Sequence, residues 1–146
     1  MTTSFADYAK MNETANQSFA DFVATQDARN DIQLKIREYT LMLCDALEMN
    51  FKQRNHGVVA GREAPEYKFV IESGRKYHKI IMVIPNHNRP ASRSVHAFVD
   101  MKTGDVYKAA SFKAPAKGVR FNLCIISDRE WLLENADWAG GYLYKR

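Results

Sequence analysis

The chain of 146 residues is 46% apolar and 26% charged, which is typical of one globular domain with a single core. It contains no run of about 18 apolar residues, and its first residues do not join a basic segment to an apolar one. We therefore expect no contact with a membrane and no secretory signal peptide. Cys44 and Cys124 each lie among apolar residues, which predicts two buried reduced thiols, although a bridge between them remains open.

The net charge of +4 is distributed unevenly. Residues 1–50 contain four basic and eight acidic residues, whereas residues 51–146 contain 17 basic and nine acidic ones. We interpret the chain as one domain, residues 1–146, with an acidic helical part over 1–55 and a basic part over 56–146. A basic part favours a polyanionic partner, but two parts that neutralise each other in the fold would have the same charge pattern.

The sequence SFAD occurs twice in the first 22 residues, fourteen positions apart. Fourteen residues make close to four helical turns, so Phe5 and Phe19 fall near one face of a helix, with Tyr8 and Phe22 beside them. The pattern predicts either one long amphipathic helix or two short helices broken near residues 12–16. The aromatic side chains are expected to pack in a core or against a protein partner.

A second helix is predicted from Asp27 or Asp31 to Phe51, with Gly57 as its terminator and GREAPE (61–66) as a loop. Apolar residues at three- and four-residue spacing define its core-facing stripe, which consists of Ile32, Ile36, Tyr39, Leu43, Leu47 and Phe51.

From residue 67 onward, branched and aromatic residues predict strands. Two hairpins are expected, separated by a loop over 85–93, with Gly104 in the second turn. The predicted strands are YKFVIE (67–72), YHKIIMVI (77–84), SVHAFVD (94–100) and DVYKAAS (105–111).

A further extended segment, VRFNLCII (119–126), and a short helix, SDREWLLENADW (127–138) with Ser127 as its cap, complete the chain. The predicted fold is α+β: an antiparallel β-meander of about four to five strands packed on N-terminal helices, with a short C-terminal helix.

Cations alternate with aromatic residues in the segment TGDVYKAASFKAPAKGVRFN (103–122). Lysine and arginine bind phosphates, and flat rings stack on exposed bases, so the pattern favours single-stranded nucleic acid. A solvated basic surface with ordinary core aromatics is the alternative, and Phe98 and Phe121 are expected in the core. The predicted phosphate contacts are Arg75, Lys76, Lys79, Arg93, Lys108, Lys113, Lys117 and Arg120, and the predicted stacking rings are Tyr77, Tyr107 and Phe112.

No histidine lies at metal-ligand spacing from another ligand, and no phosphate-binding or nucleophile motif is present. We therefore predict that the chain is not an enzyme and that it needs neither a metal nor a cofactor. A set formed by His96, Asp100 and Asp105 near Lys108 leaves a metal-dependent nuclease as a remote alternative.

The run SVHAFVDMKTGDVYKAASFKAPAKGVRFNL (94–123) resembles a family of small uncharacterised proteins of tailed bacteriophages. The resemblance covers about residues 67–145 and leaves the first 50 residues outside. It implies a phage protein that acts in the cytoplasm of the infected host cell. The shared motif corresponds to Thr103–Lys108, Ala110–Phe112, Lys113–Gly118 and Arg120.

These observations predict a sequence-independent binding protein for single-stranded nucleic acid, preferably DNA, in phage replication or recombination. The N-terminal helices would serve self-association or a protein partner. The alternatives are an effector that inhibits a host protein through its aromatic helix face, a virion component, and a nucleotide-binding protein or nuclease.

Overall fold

The computed structural model of the protein describes residues 5–55, 58–59, 62–63, 66–86 and 88–144, with side chains over 18–54, 66–86 and 88–144. A long helix comes first, strands follow, and two short helices end the described chain. The predicted α+β class is confirmed. The elements are α1 (Phe5–Asn55), β1 (Val58–Val59), β2 (Arg62–Glu63), β3 (Lys68–Ser73), β4 (Tyr77–Asn86), β5 (Arg89–Asp100), β6 (Asp105–Lys108), β7 (Phe121–Asn122), α2 (Ile126–Asn135) and a 3₁₀ helix (Gly141–Tyr144).

The main sheet has five antiparallel strands in the order β3-β4-β5-β6-β7, so each strand pairs with its neighbour in the chain. This order confirms the predicted meander. The two-residue strands β1 and β2 pair separately, which places a strand inside the predicted loop over 61–66.

Helix α1 is one continuous helix, so the first of the two alternatives for the N-terminal segment is right. The separate second helix predicted from Asp27 or Asp31 is wrong, because α1 runs through both residues without a break. The chain divides into two compact units, Met1–Leu34 and Lys35–Arg146. In the first unit, Phe19 and Phe22 are 69% and 59% exposed, and the predicted contact of this helix face with a protein remains a prediction. The side chains of Phe5 and Tyr8 and the predicted terminator Gly57 lie outside the described residues.

The core of the second unit lies between the C-terminal half of α1 and one face of the sheet. Ile36, Leu43 and Leu47 of the predicted stripe are completely buried, whereas Ile32, in the first unit, is 48% exposed. The stripe prediction is therefore right from residue 36 onward and wrong at Ile32. The sheet and C-terminal residues of the core are Phe69, Ile80, Ala97, Val99, Val106, Phe121, Leu123, Leu132, Ala136, Tyr142 and Leu143.

The predicted loop over 85–93 is wrong, because β4 continues to Asn86 and β5 starts at Arg89. Asn86 donates hydrogen bonds from Nδ2 to the Pro90 carbonyl at 3.2 Å and to Ser92 Oγ at 2.8 Å. Pro90 is tolerated because it is the second residue of β5, where fewer ladder hydrogen bonds are lost.

The segment after β6 also departs from the prediction. The strand ends at Lys108 and not at residue 111, since Ser111 Oγ accepts hydrogen bonds from the amides of Lys113 and Ala114 and turns the chain. An isolated bridge between Ala109 and Pro115 then closes this turn.

Three smaller predictions near the C-terminus are wrong. Only Phe121–Asn122 of the expected extended segment pairs with the sheet. Helix α2 begins at Ile126 after Ile125, which makes no side-chain cap, so Ser127 is not the cap. Cys124 is exposed, so the expected burial is right only for Cys44, and both thiols are free.

Candidate nucleic-acid interface

The two faces of the main sheet differ in chemistry. One face carries core residues, such as Ile80 and Val106. The strand registers align Glu72 with Lys79, Lys79 with Phe98, and Phe98 with Tyr107, so one row of side chains crosses four strands. Because neighbouring residues of a strand point to opposite faces, this row lies away from the helix-covered core. We call this side the outer face.

A group of interacting rings and ammonium groups occupies the outer face. Tyr77 packs edge-on against Phe98, with centroids 5.7 Å apart, and against Tyr107, with centroids 6.0 Å apart. Such edge-to-face pairs stabilise a fixed ring arrangement. We call this group the outer cluster, and its members are Lys76, Tyr77, Lys79, Phe98, Tyr107 and Phe112.

Two lysines lie over the rings of the outer cluster. Lys79 Nζ is 4.4 Å from the Phe112 ring centroid and 5.9 Å from that of Phe98, and Lys76 Nζ is 5.3 Å from the Tyr77 centroid. Interaction with the Tyr77 side chain raises the pKa of Lys76. The Lys76 ammonium group therefore remains charged at neutral pH.

The rings of the cluster have different exposure, and exposure separates their roles. Phe98 is 1% exposed, whereas Phe112 is 44% exposed. Phe98 is thus the buried base of the cluster, as expected for a core residue, whereas one part of the Phe112 ring is open to solvent. Desolvation raises the pKa of Tyr107, which keeps its hydroxyl group neutral.

A shallow cleft of about 210 Å³ lies beside the cluster at the turn between β3 and β4. Four cations line it, together with the single carboxylate of Glu72. A concave surface with this charge balance attracts phosphate groups. The charged lining residues are Glu72, Arg75, Lys76, Lys79 and Lys113.

Seven of the eleven residues predicted to bind nucleic acid therefore come together on the outer face. Arg93 belongs to the same face, but its guanidinium group pairs with Glu72 and is not available for a phosphate in this arrangement. The seven are Arg75, Lys76, Tyr77, Lys79, Tyr107, Phe112 and Lys113.

The other three predicted residues do not line this cleft. Lys108 follows Tyr107 and therefore points to the opposite face of β6, where its Nζ lies 3.9 Å from the Tyr144 ring centroid. Lys117 is exposed in the turn after β6. Arg120 donates its backbone N–H to the Val106 carbonyl at 2.8 Å, next to the edge strand β7.

The residues of the alternative nuclease set are used in structural contacts. Asp100 Oδ1 accepts hydrogen bonds from two turn amides, and Asp105 Oδ1 accepts one from Asn122 Nδ2. His96 contacts the Tyr142 hydroxyl group on the core side. In the part of the chain that the structure describes, no three histidine, cysteine or acidic side chains form a metal-binding group.

Partial burial of His96 strongly affects its proton affinity. Its Nε2 lies 2.7 Å from the Tyr142 hydroxyl oxygen, and its ring packs edge-on against Phe69. Desolvation lowers the pKa of His96 to about 4, and the carboxylate of Asp137 opposes this only partly. The folded protein thus holds a neutral imidazole at neutral pH.

Lowering the pH should therefore weaken the fold through His96. An unfolded histidine binds a proton below about pH 6.5 while the folded one does not, so stability is lost as the pH falls from that value toward about 4. Between about pH 7 and pH 4.5, wild type should lose about 2 kcal/mol more than His96→Gln. Urea unfolding at these pH values measures the difference, and equal losses would contradict a neutral His96 ring in the folded protein.

The described helices lack the combination of length and apolar composition that crossing a bilayer requires. No curated protein and no solved structure matches the chain. A family model does match the chain, over residues 19–145. This match includes much of α1, whereas the resemblance described above left the first 50 residues outside. Because this match spans most of the 146 residues, the chain belongs to a family of unknown function, DUF7717.

Proposed function

We propose that the protein binds single-stranded nucleic acid, without sequence preference, on the outer face of its sheet. The observation that supports this most is the gathering of four cations in one cleft, of which Lys79 also lies over the exposed ring of Phe112. In this proposal the protein is a binding protein and no enzyme.

Charge and rings would have separate tasks in such a complex. Arg75, Lys76 and Lys113 line the cleft and would contact phosphates, which gives affinity without sequence selection. Phe112 would stack on one base, a contact worth about 1–3 kcal/mol. Bases of a duplex are already stacked and paired, so this arrangement favours a single strand.

The biological setting is part of the same proposal. The resemblance of residues 94–123 to proteins of tailed bacteriophages suggests replication or recombination of phage DNA in the cytoplasm of an infected cell. DNA is proposed as the preferred strand because those processes expose it.

The test is fluorescence anisotropy with single-stranded DNA, single-stranded RNA and duplex DNA of equal length at several salt concentrations. Replacing Arg75, Lys76 and Lys113 with alanine should weaken binding to every sequence. It should also reduce the slope of log affinity against log salt by about 0.7 for each lost phosphate contact, hence by about 2 in total.

A charge-matched control uses three cations of α1, Arg29, Lys35 and Lys52, replaced with alanine. These residues are far in sequence from the residues of the outer face. The ion pairs of Lys35 and Lys52 are exposed, so their loss costs little stability. An equal loss of affinity in both triple variants would show only an effect of net charge, and absence of binding at low salt would reject the proposal.

A further inference from the structure

A second cleft, of about 300 Å³, lies on the other side of the sheet from the outer cluster. Its walls come from β4, β5 and β6 and from the C-terminal segment over 138–144. Its volume is at the lower end of the range for small-molecule sites. The residues that matter for its chemistry are Ser94, His96, Lys108, Trp138, Leu143 and Tyr144.

Lys108 is an unusual residue for this position. It pairs in register with Ala97, which is completely buried, so a lysine occupies the core-side face of β6. Its Nζ lies over the Tyr144 ring at 3.9 Å, and it forms no ion pair with a carboxylate among the described residues. An ammonium group that is partly withdrawn from water without a counter-charge favours binding of an anion.

The opposite side of the cleft offers hydrogen-bonding groups that are already positioned. The Tyr142 hydroxyl group forms a hydrogen bond with Nε2 of His96, while Nδ1 of the same ring has no hydrogen-bond partner among the described residues. Gly140, at φ +84°, leaves space beside this nitrogen, since a Cβ there would lie 3.9 Å from Nδ1. The Ser94 side chain lines the same cleft.

Aromatic side chains form the remaining walls. The Trp138 ring packs edge-on against Phe51, with centroids 5.2 Å apart, and edge-on against Tyr67 at 5.7 Å, so its orientation is fixed from behind. Tyr144 is 67% exposed and lies at Lys108. Together with Leu143, these rings suit a flat apolar body.

From this arrangement we infer that the cleft binds a small molecule that consists of a flat ring system with one anionic group. The anion pairs with Lys108, and the ring lies between Trp138 and Tyr144. An aromatic carboxylate and a nucleoside monophosphate both have this chemistry. The inference does not depend on the proposed nucleic-acid binding, because Lys108 and the outer cluster lie on opposite faces of the sheet.

The experiment compares two anions with their neutral counterparts by calorimetry: indole-3-acetate with indole-3-acetamide, and uridine 5′-monophosphate with uridine. At least one anion should bind about tenfold more tightly than its neutral counterpart. Chemical shifts of the backbone amides over 94–96 and 138–144 should change on titration. Binding of indole-3-acetate would indicate an aromatic carboxylate as the ligand, and binding of uridine 5′-monophosphate would indicate a nucleoside monophosphate.

The role of Lys108 is tested with Lys108→Met, which keeps the apolar stem, and Lys108→Arg, which keeps the charge. The methionine variant should lose the tenfold preference for the anion, the arginine variant should keep it, and the exposed-site control Lys117→Met should bind as wild type does. The inference is overturned if neither anion binds at millimolar concentration. It is equally overturned if a folded Lys108→Met protein retains the preference.

Discussion

Replacing Phe98 with alanine should lower the free energy of unfolding by about 3–5 kcal/mol. Phe98 is 1% exposed on the face of the sheet that the helices do not cover, and Tyr77 and Lys79 pack on it. The truncation would leave a cavity that these surface side chains close only in part. Urea unfolding followed by circular dichroism measures the loss.

The matched control is Phe112→Ala in the same cluster. Since Phe112 is 44% exposed, its truncation should change the free energy of unfolding by less than about 1 kcal/mol. Under the proposed function, the same variant should lower the affinity for single-stranded DNA about tenfold. If Phe112→Ala destabilises the fold as strongly as Phe98→Ala, then the assignment of Phe112 to ligand contact is wrong.

Replacing Gly104 with alanine should destabilise the protein by about 2–4 kcal/mol, through backbone strain and overpacking together. The residue is buried and has φ +79°, a conformation that side chains disfavour. A Cβ would also lie 3.0 Å from Cys124 Sγ, so that side chain would have to shift, and it would touch Ile36 Cγ1 at 3.5 Å. Thermal and urea unfolding give the change in stability.

A substitution at Gly118 distinguishes backbone strain from overpacking. It also has a positive φ, of +99°, but no atom lies within 4 Å of a Cβ built there. Gly118→Ala should therefore cost only the backbone strain, about 1–2 kcal/mol. Equal losses at both positions would mean that the contacts with Cys124 and Ile36 contribute nothing to the effect at Gly104.

The helix stripe and the meander were predictable because each has a strong local signal. Leu43 and Leu47 recur at helical spacing, and the strands carry branched residues between turn signals. The loop over 85–93 was mispredicted because its two prolines and two asparagines resemble a loop in composition, whereas the pairing of β4 with β5 extends to Asn86 and Arg89. Tertiary pairing overrides local preference in such a segment.

The candidate site was predictable in part. Alternation along β6 separates Tyr107 from Lys108, yet only the pairing shows which of the two faces the core. The contact of Arg93 with Glu72 depends on a register shift between Ile80 and Ile81, which no local pattern reveals. Residues that are close in sequence were thus assigned to one groove, although the sheet distributes them over two surfaces.

The strand order has a consequence for folding during synthesis. Each strand from β4 to β7 pairs with the strand made just before it, so the sheet can extend as the chain leaves the ribosome. Helix α1 is made first, and its residues Leu43 and Leu47 find their core partners only after the strands have followed. A nascent chain stalled before β3 would thus expose an apolar stripe that chaperones recognise, and one stalled after β5 would already cover part of it.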